Sequence, residues 1–351
     1  MLAAIEAARR TIRLEIYIYA PDPLGRKFLD ALIRARRRGA QVNVLYDALG
    51  SLNLPNSFFD PLRQAGGEAR RFNPTLMSRF GIRDHRKLLV CDEEVSFVGG
   101  FNIAKEYEGD GVTSGWCDLG LKLEGTLARD LAASFDDMFA RAVLPQPPFA
   151  RLHKSTARKT IRAPHEQLLL SGPGRGGSPI KNALRRDLAR ARRVQMVVAY
   201  FLPTWRIRRA LMQVARAGGT VELILAGKSD VALSQLAAQS LYRRFLRAGA
   251  HVFEYQPQIL HMKLFIIDDV VYVGSANLDP RSLNINYELM VRFESSSMAA
   301  EARELFTRTK LNCQEINAEN WRASRTVWQR LKQRWAYFLL ARVDPRIARW
   351  R

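Results

Sequence analysis

Residues 7–47 and 189–227 follow one order, the end of a helix, a strand, a helix and a second strand, and this internal repeat constrains the architecture more than any other feature of the chain. In the first copy, 14–19 and 42–47 read as strands around a helix at 25–37; in the second, 194–200 and 221–225 take the strand places. Each copy continues into a helix, the related phrases LRQAGGEARRF and LRAGAHVFEY, and an apolar strand that opens with a histidine. The register is steady: Val42 and Val221 lie 179 residues apart, His85 and His261 176 apart. Strands alternating with helical patterns give βαβ units and a sheet covered on both faces. The runs LLVCD and LFIID, followed by EVSFVGG and VVYVGS, read as buried paired strands. Two homologous α/β halves therefore span 1–145 and 166–320, joined by a basic, proline-rich linker at 146–165 that has no periodicity. The copies differ at their start. The second half has a strand-like lead, EQLLLS, before its first helix, whereas Met1 already lies in the equivalent helix of the first half; either a strand is missing ahead of it or the first sheet lacks an edge.

The repeat also duplicates chemistry. His85, Lys87 and Asp92 in DHRKLLVCD match His261, Lys263 and Asp268 in LHMKLFIID. Residues i and i+2 of a strand share a face, so each histidine projects with its lysine toward one pocket. The histidine supplies a nucleophilic or proton-transferring nitrogen near neutral pH, and the lysine neutralises non-bridging phosphate oxygens. Downstream, Gly99-Gly100-Phe101-Asn102 and Gly274-Ser275-Ala276-Asn277 add a tight turn and an amide donor. Each residue also has a plain structural reading. A lone histidine is more often a satisfied core residue, but duplication in register argues for function. The lysines read alternatively as solvated edge residues, yet both sit in apolar runs where an unpaired charge is costly. Asn102 and Asn277 read alternatively as left-handed turn residues. His153, His165 and His251 have no motif around them and take no role.

At this point the chain resembles the phospholipase D superfamily, whose signature is His-x-Lys-x4-Asp followed by Gly-Gly/Ser-x-Asn, over residues 12–293. Within it, the phrases LEIYIYAPDPLGRKFLDALIRARRRGAQVNVLYDALGS, HRKLLVCD with GGFN, VAYFLPTWRIRRAL and HMKLFIIDDVVYVGSANLDPRSLNINYEL resemble bacterial cardiolipin synthases, of the kind without N-terminal membrane spans. Such synthases share the departure from symmetry of Gly100 against Ser275. The resemblance implies two α/β/α sandwich halves related by a pseudo-twofold axis, with the active site at their interface. It also implies ping-pong phosphatidyl transfer through a phosphohistidine, with His85 as nucleophile and His261 as acid/base, although a pseudo-twofold site permits the reverse. It assigns Asp118 in GWCDLGLKLEG and Glu288 in NINYELMVRFE to orient the histidine rings, and expects Asp92 and Asp268 to make structural salt bridges. Two lysines, two asparagines and the Ser275 hydroxyl hold the phosphate charge, so neither cofactor nor metal is expected.

The bulk numbers bear on partners. A formal charge of +21, from 55 Lys and Arg against 34 Asp and Glu, draws the chain to polyanions without choosing among them. Phosphatidylglycerol is the expected substrate and an anionic membrane the expected surface; the runner-up is a phosphodiesterase or nuclease with water as acceptor, and a basic binding module without catalysis stands third. Nucleic acid is not the expected partner, because the simplest nucleases of the superfamily carry one motif per chain and this chain carries two. The oligomeric state stays open. Cys91, Cys117 and Cys313 lack zinc or disulfide spacing and read as reduced residues of a cytosolic protein. No window approaches the roughly 20 apolar residues of a spanning helix, and the start MLAAIEAARRTIRLE has no signal-peptide core. A basic amphipathic tail at 321–351 places Trp328, Leu331, Trp335 and Phe338 near one helical face, and exposed Trp205 adds to the same surface. That face fits either an interfacial helix on an anionic membrane or a helix docked on the body of the protein. The expected location is peripheral, on the cytoplasmic face of the bacterial inner membrane.

Overall fold

The computed structural model describes residues 1–73, 81–142, 157–323 and 325–344. His153, most of the 146–165 linker and the tail beyond 344 lie outside these. In the first half, α1 (Leu2–Ala7) leads into β1 (Thr11–Ile16), α2 (Pro23–Arg37), β2 (Gln41–Asp47), α3 (Asp60–Gln64) and β3 (Glu68–Phe72); β4 (Leu88–Cys91), β5 (Val95–Gly99), β6 (Gly120–Glu124) and α4 (Thr126–Arg141) follow. Local chemistry sets these bounds. Asp22 accepts from the Gly25 N–H at 2.8 Å and Pro23 occupies the first turn of α2, which ends before Gly39 at a φ of 102°.

The second half runs β7 (Lys159–Arg162), β8 (Glu166–Ser171), α5 (Pro179–Leu188), β9 (Arg193–Val198), α6 (Trp205–Arg216), β10 (Thr220–Ala226), α7 (Ala232–Leu246), β11 (His251–Tyr255) and β12 (Lys263–Ile267). It continues through β13 (Val270–Gly274), α8 (Pro280–Asn284), β14 (Glu288–Glu294) and α9 (Ser296–Lys310) to β15 (Cys313–Glu315), α10 (Ala318–Ala323) and α11 (Val327–Phe338).

The repeat is plain in the sheets. The first has the order β3-β2-β1-β4-β5-β6, and the second contains β11-β10-β9-β12-β13-β14 in the same arrangement. In each, the first three strands are parallel and the rest antiparallel. The first sheet ends at β6, where the second continues through β8 and β7. The connection at 146–165 is therefore not wholly irregular. Its residues 159–162 pair with β8, and the Ala163 N–H closes the hairpin on the Glu166 carbonyl at 2.8 Å, which covers an edge that would otherwise stay open.

Three apolar clusters hold the layers together. One packs α1 and α2 on the outer face of the first sheet, and a second packs α5, α6 and α7 on the outer face of the other. The third lies between the sheets and belongs to both halves: Leu131 and Phe135 of α4 and Ala302 and Phe306 of α9 share it with Val90, Val98, Ile266 and Val273. Burying those side chains takes apolar surface of both halves out of water at once, so they form one body.

The tail resolves into two faces. Thr326 and Gln329 form a capping box at the start of α11, Gln333 and Ala336 are buried against α7, and Arg208 of α6 donates to the Tyr337 hydroxyl at 2.9 Å. The opposite face carries Trp328 and Trp335, 74% and 59% exposed. The helix thus docks on the protein and still presents its aromatic stripe outward.

Candidate active site

The two motif histidines do not open strands as the sequence pattern implies; they stand just ahead of β4 and β12. There the main chain leaves its own sheet and bonds to the opposite half. Asp84 bridges to Tyr287, with the His85 N–H on the Tyr287 carbonyl at 3.0 Å, and Leu260 bridges to Cys117, with the His261 N–H on the Cys117 carbonyl at 2.8 Å. Tyr287 and Cys117 each precede an acidic residue, so these bridges set each histidine beside the acid of the other half.

His261 Nδ1 donates to Asp118 Oδ2 at 2.7 Å, and His85 Nδ1 donates to Glu288 Oε2 at 3.1 Å. An ionised carboxylate only accepts, so against ionised Asp118 or Glu288 the proton of the neutral ring sits on Nδ1 and Nε2 is unprotonated. Lys87 and Lys263, 0% and 1% exposed, lie behind the rings. Lys87 Nζ donates to the His85 carbonyl at 2.7 Å and stands 5.0 Å from the Tyr17 ring centroid. Lys263 Nζ donates to the His261 carbonyl and lies 3.0 and 3.2 Å from the two ring nitrogens. Neither lysine is a solvated edge residue.

Burial governs the titration of this cluster. It lowers His85 well below the ordinary histidine range, with Lys87, Lys263 and His261 adding repulsion, and it lowers His261 together with Lys263 against the pull of Asp118. Burial brings Lys87 down to about 7 and Lys263 down to about 8, although nearby carboxylates oppose both shifts. Glu288 is pushed up to about 8 by burial, against Lys87. The lowered lysines suit a site that takes an anion, since a bound phosphate would favour their charged forms, whereas the raised Glu288 reflects the burial of an acid.

The Gly100/Ser275 asymmetry has a steric cause. A Cβ on Gly100 would lie 2.2 Å from Asp118 Oδ1, so the short acid leaves no room for a side chain there. Opposite, Ser275 Oγ donates to Glu288 Oε2 at 2.5 Å and accepts the Leu289 N–H at 3.0 Å. Ser275 thereby holds the acid, a contact that the sequence reading did not foresee. Asn102 donates to the Tyr107 hydroxyl at 2.6 Å and accepts the Ile18 N–H at 3.0 Å; Asn277 is buried on the wall of the cleft, its Oδ1 without a hydrogen-bond partner among the described residues.

Asp92 and Asp268 are corrected in kind as well. Asp92 accepts backbone N–H groups of Arg9, Arg10 and Thr11, and Asp268 those of Arg192 and Arg193; among the described residues neither forms a salt bridge. Both sit at positive φ, 56° and 49°, in the turn after the motif strand, and tie it to the start of the neighbouring strand.

His85 and His261 line one cleft of about 470 Å³, together with Asn102 and Asn277. Sequence reasoning missed much of its wall: Tyr17, Arg83, Tyr107, Trp116, Tyr200 and Asp230. Tyr107 and Trp116 pack at 5.5 Å from the His261 ring and Tyr17 at 4.8 Å from that of His85, contacts no motif spacing marks. The tail reaches the cleft too. Leu340 and Asp344 line it, and Arg281 binds Asp344 through Nε at 2.6 Å and Nη2 at 2.7 Å. His165 and His251 take no part in its lining. Among the described residues no group of three or more His, Cys, Asp or Glu is placed to hold a metal, and no helix is long and apolar enough to cross a membrane.

A duplicated α/β/α sandwich whose two histidine–lysine segments bring their histidines to one cleft is the phospholipase D fold. The sequence profile of the family described as cardiolipin synthase, PLD-like domain, matches residues 1–139 and 184–310, and the chain belongs to that family. It is 34% identical to cardiolipin synthase 1 of Bacillus anthracis over 312 residues, 85% of this chain and 61% of that protein. It is 31% identical to the major cardiolipin synthase of Bacillus subtilis strain 168 over 95% of this chain and 70% of that protein. The chain thus spans about 61% of the first of these curated relatives. Among solved structures, phosphatidylserine synthase of Haemophilus influenzae Rd KW20 superposes with a TM-score of 0.73 over 99% of this chain and 92% of that one; at 13% identity the likeness is one of fold.

Proposed function

We propose that this chain transfers a phosphatidyl group from one phosphatidylglycerol to the glycerol hydroxyl of another, releasing glycerol and forming cardiolipin. The observation that carries the reading is the pair of crossed histidine–carboxylate contacts on one cleft, His85 with Glu288 and His261 with Asp118. His85, in its neutral form with Nε2 unprotonated, attacks phosphorus; the phosphorus–oxygen bond to glycerol breaks and the departing oxygen takes a proton from His261. The bound phosphodiester anion offsets the repulsion between His261 and Lys263, which lets His261 carry that proton. Glu288 balances the positive phosphorylated ring. In the second step His261 takes the proton of the incoming hydroxyl as its oxygen displaces His85. Lys87, Lys263, Asn102 and Asn277 are the candidate holders of the non-bridging oxygens, and Ser275 holds Glu288 in place.

The family match and its named relatives support the substrate class. The outward stripe of Trp328, Leu331, Trp335 and Phe338, flanked by Arg330, Lys332, Arg334 and Arg342, supports peripheral attachment to an anionic bilayer, at the cytoplasmic face of the bacterial inner membrane. The test is to incubate the purified protein with phosphatidylglycerol vesicles and, separately, with single-stranded DNA, and to identify the products by mass. Cardiolipin plus glycerol is expected; phosphatidic acid alone, or shortened DNA, would replace the transfer reading with a hydrolytic one.

A further inference from the structure

We propose that Asp230, held by Tyr200, is a specificity-determining residue: it forms a polyol subsite on the His261 side of the cleft that selects an alcohol bearing a second, vicinal hydroxyl. The inference rests on the transferase reading above and names what that reading leaves open, namely how the site prefers a glycerol group to water or a simple alcohol.

An acidic group on the cleft wall demands an explanation, because the reaction centre must attract a phosphodiester anion and a carboxylate repels it. Of the lining carboxylates, Asp279 is spent on capping α8 through the Arg281 and Ser282 N–H groups, and Asp344 is spent on Arg281. Asp230 is exposed and, among the described residues, forms no salt bridge, acting on Lys263 only at longer range; it accepts from the Tyr200 hydroxyl, at 2.7 and 2.8 Å from its two oxygens. One phenolic proton uses a small part of a carboxylate that offers about four lone-pair directions. The remainder face a cleft and suit two neighbouring hydroxyl donors, which is the pattern a glycerol group presents. Tyr200 in turn lies edge-on to the His261 ring with centroids 6.3 Å apart, which fixes the subsite on that side. The opposite wall, beside His85, is built of Tyr17, Leu49, Arg83 and Arg281 and suits anionic and apolar groups instead.

The placement also breaks the pseudo-twofold ambiguity. The departing glycerol and the incoming one occupy the same subsite in turn, so the histidine beside Asp230 is the one that exchanges protons with alcohols. In the second step the acceptor's primary hydroxyl oxygen bonds to phosphorus, the phosphorus–nitrogen bond to His85 breaks with its electron pair returning to the ring, and the hydroxyl proton passes to His261. The vicinal hydroxyl meanwhile donates to Asp230.

The test partitions one phosphohistidine intermediate between two acceptors. Phosphatidylglycerol vesicles are turned over with equal concentrations of deuterated glycerol and propan-1-ol, and labelled phosphatidylglycerol is compared with phosphatidylpropanol by mass. The parent protein should favour glycerol. Asp230→Asn should lower the glycerol-to-propanol ratio by about tenfold, the scale of one charge-assisted hydrogen bond, and Tyr200→Phe should lower it by a smaller factor. A ratio within about twofold of the parent in both variants, with transfer continuing, overturns the subsite alone. A parent protein that yields cardiolipin but no preference for glycerol over propan-1-ol, or no alcohol-headed product, also overturns the subsite alone; one that yields neither cardiolipin nor an alcohol-headed product overturns the transferase reading and the subsite with it.

Discussion

Asp118 and His261 are 143 positions apart and belong to different halves, yet Oδ2 and Nδ1 meet at 2.7 Å. Glu288 and His85 repeat the relationship across 203 positions. Each half therefore provides one histidine and the group that orients the other half's histidine, so neither repeat holds a complete acid–base unit. The shared core between α4 and α9 and the two main-chain bridges keep the halves in that register.

Removing either imidazole should stop transfer without unfolding the chain. His261→Ala should lower turnover by about 10²- to 10⁴-fold, the range for loss of a general acid–base group, and His85→Ala should abolish the acid-labile phosphoenzyme. Rapid quench with radiolabelled donor and circular dichroism on the same samples check both; full turnover in both variants would eliminate the paired-histidine mechanism.

The steric reading of Gly100 is tested by adding one carbon. Gly100→Ala places a Cβ against the Asp118 carboxylate and should displace the His261 ring, with a fall in kcat of about 10²-fold, as expected for an ångström-scale misplacement. Ser275→Ala removes the hydroxyl that holds Glu288 and should cost less, about tenfold, since the backbone contacts of the acid remain. A Gly100→Ala protein with unchanged kcat would show that Asp118 tolerates the intrusion.

The pH profile follows from the lysines and His85. As pH rises through about 7 and about 8, the free protein loses the charges of Lys87 and then Lys263, and with them its attraction for the phosphodiester. kcat/KM, which reports the free protein, should fall over that interval, while kcat falls later because bound anion holds the protons on. On the acid side His85 stays neutral below the ordinary histidine range, so the descending limb belongs below about pH 6.5. A kcat/KM that keeps rising from pH 7 to 9 would contradict the buried-cation site.

The tail has two faces and hence two expectations. Deleting residues after Trp321 should impair soluble-diester turnover as well as vesicle binding, because Leu340 and Asp344 line the cleft and Arg281 would lose its carboxylate. Trp328→Glu with Trp335→Glu spares the docked face of Gln333 and Ala336 and should weaken vesicle cosedimentation by about tenfold, near 1.4 kcal/mol, with much less effect on the soluble substrate. Equal losses in the two assays for the double variant would assign the stripe a structural role.

Asp92 links the motif to stability. Asp92→Ala releases three backbone N–H groups and should cost about 1–3 kcal/mol in urea unfolding. Hydrogen bonds from Thr11, Arg9 and Arg10 hold the Asp92 carboxyl below its ordinary range against desolvation, so its stabilising contribution is present above about pH 4 and is lost as pH falls through the lower folded-state value. The stability gap between the two proteins should therefore narrow in acid.

The repeat, its register and the four residues His85, Lys87, His261 and Lys263 were legible in the sequence because duplication in register is a covalent fact, independent of packing. Asp118 and Glu288 were placed by resemblance, which did not reveal that each serves the other half's histidine. That crossing, the contact of Ser275 with Glu288, the backbone role of Asp92 and Asp268, and the gathering of Tyr107, Tyr200 and Asp230 around His261 came only from tertiary structure. The physical reason is the same for each: these contacts join residues from separate elements or from opposite halves, and local periodicity says which face a side chain takes but not which distant surface meets that face. The sequence by itself determined what chemistry each half carries; the shared apolar layer between the sheets decided how the two halves divide it.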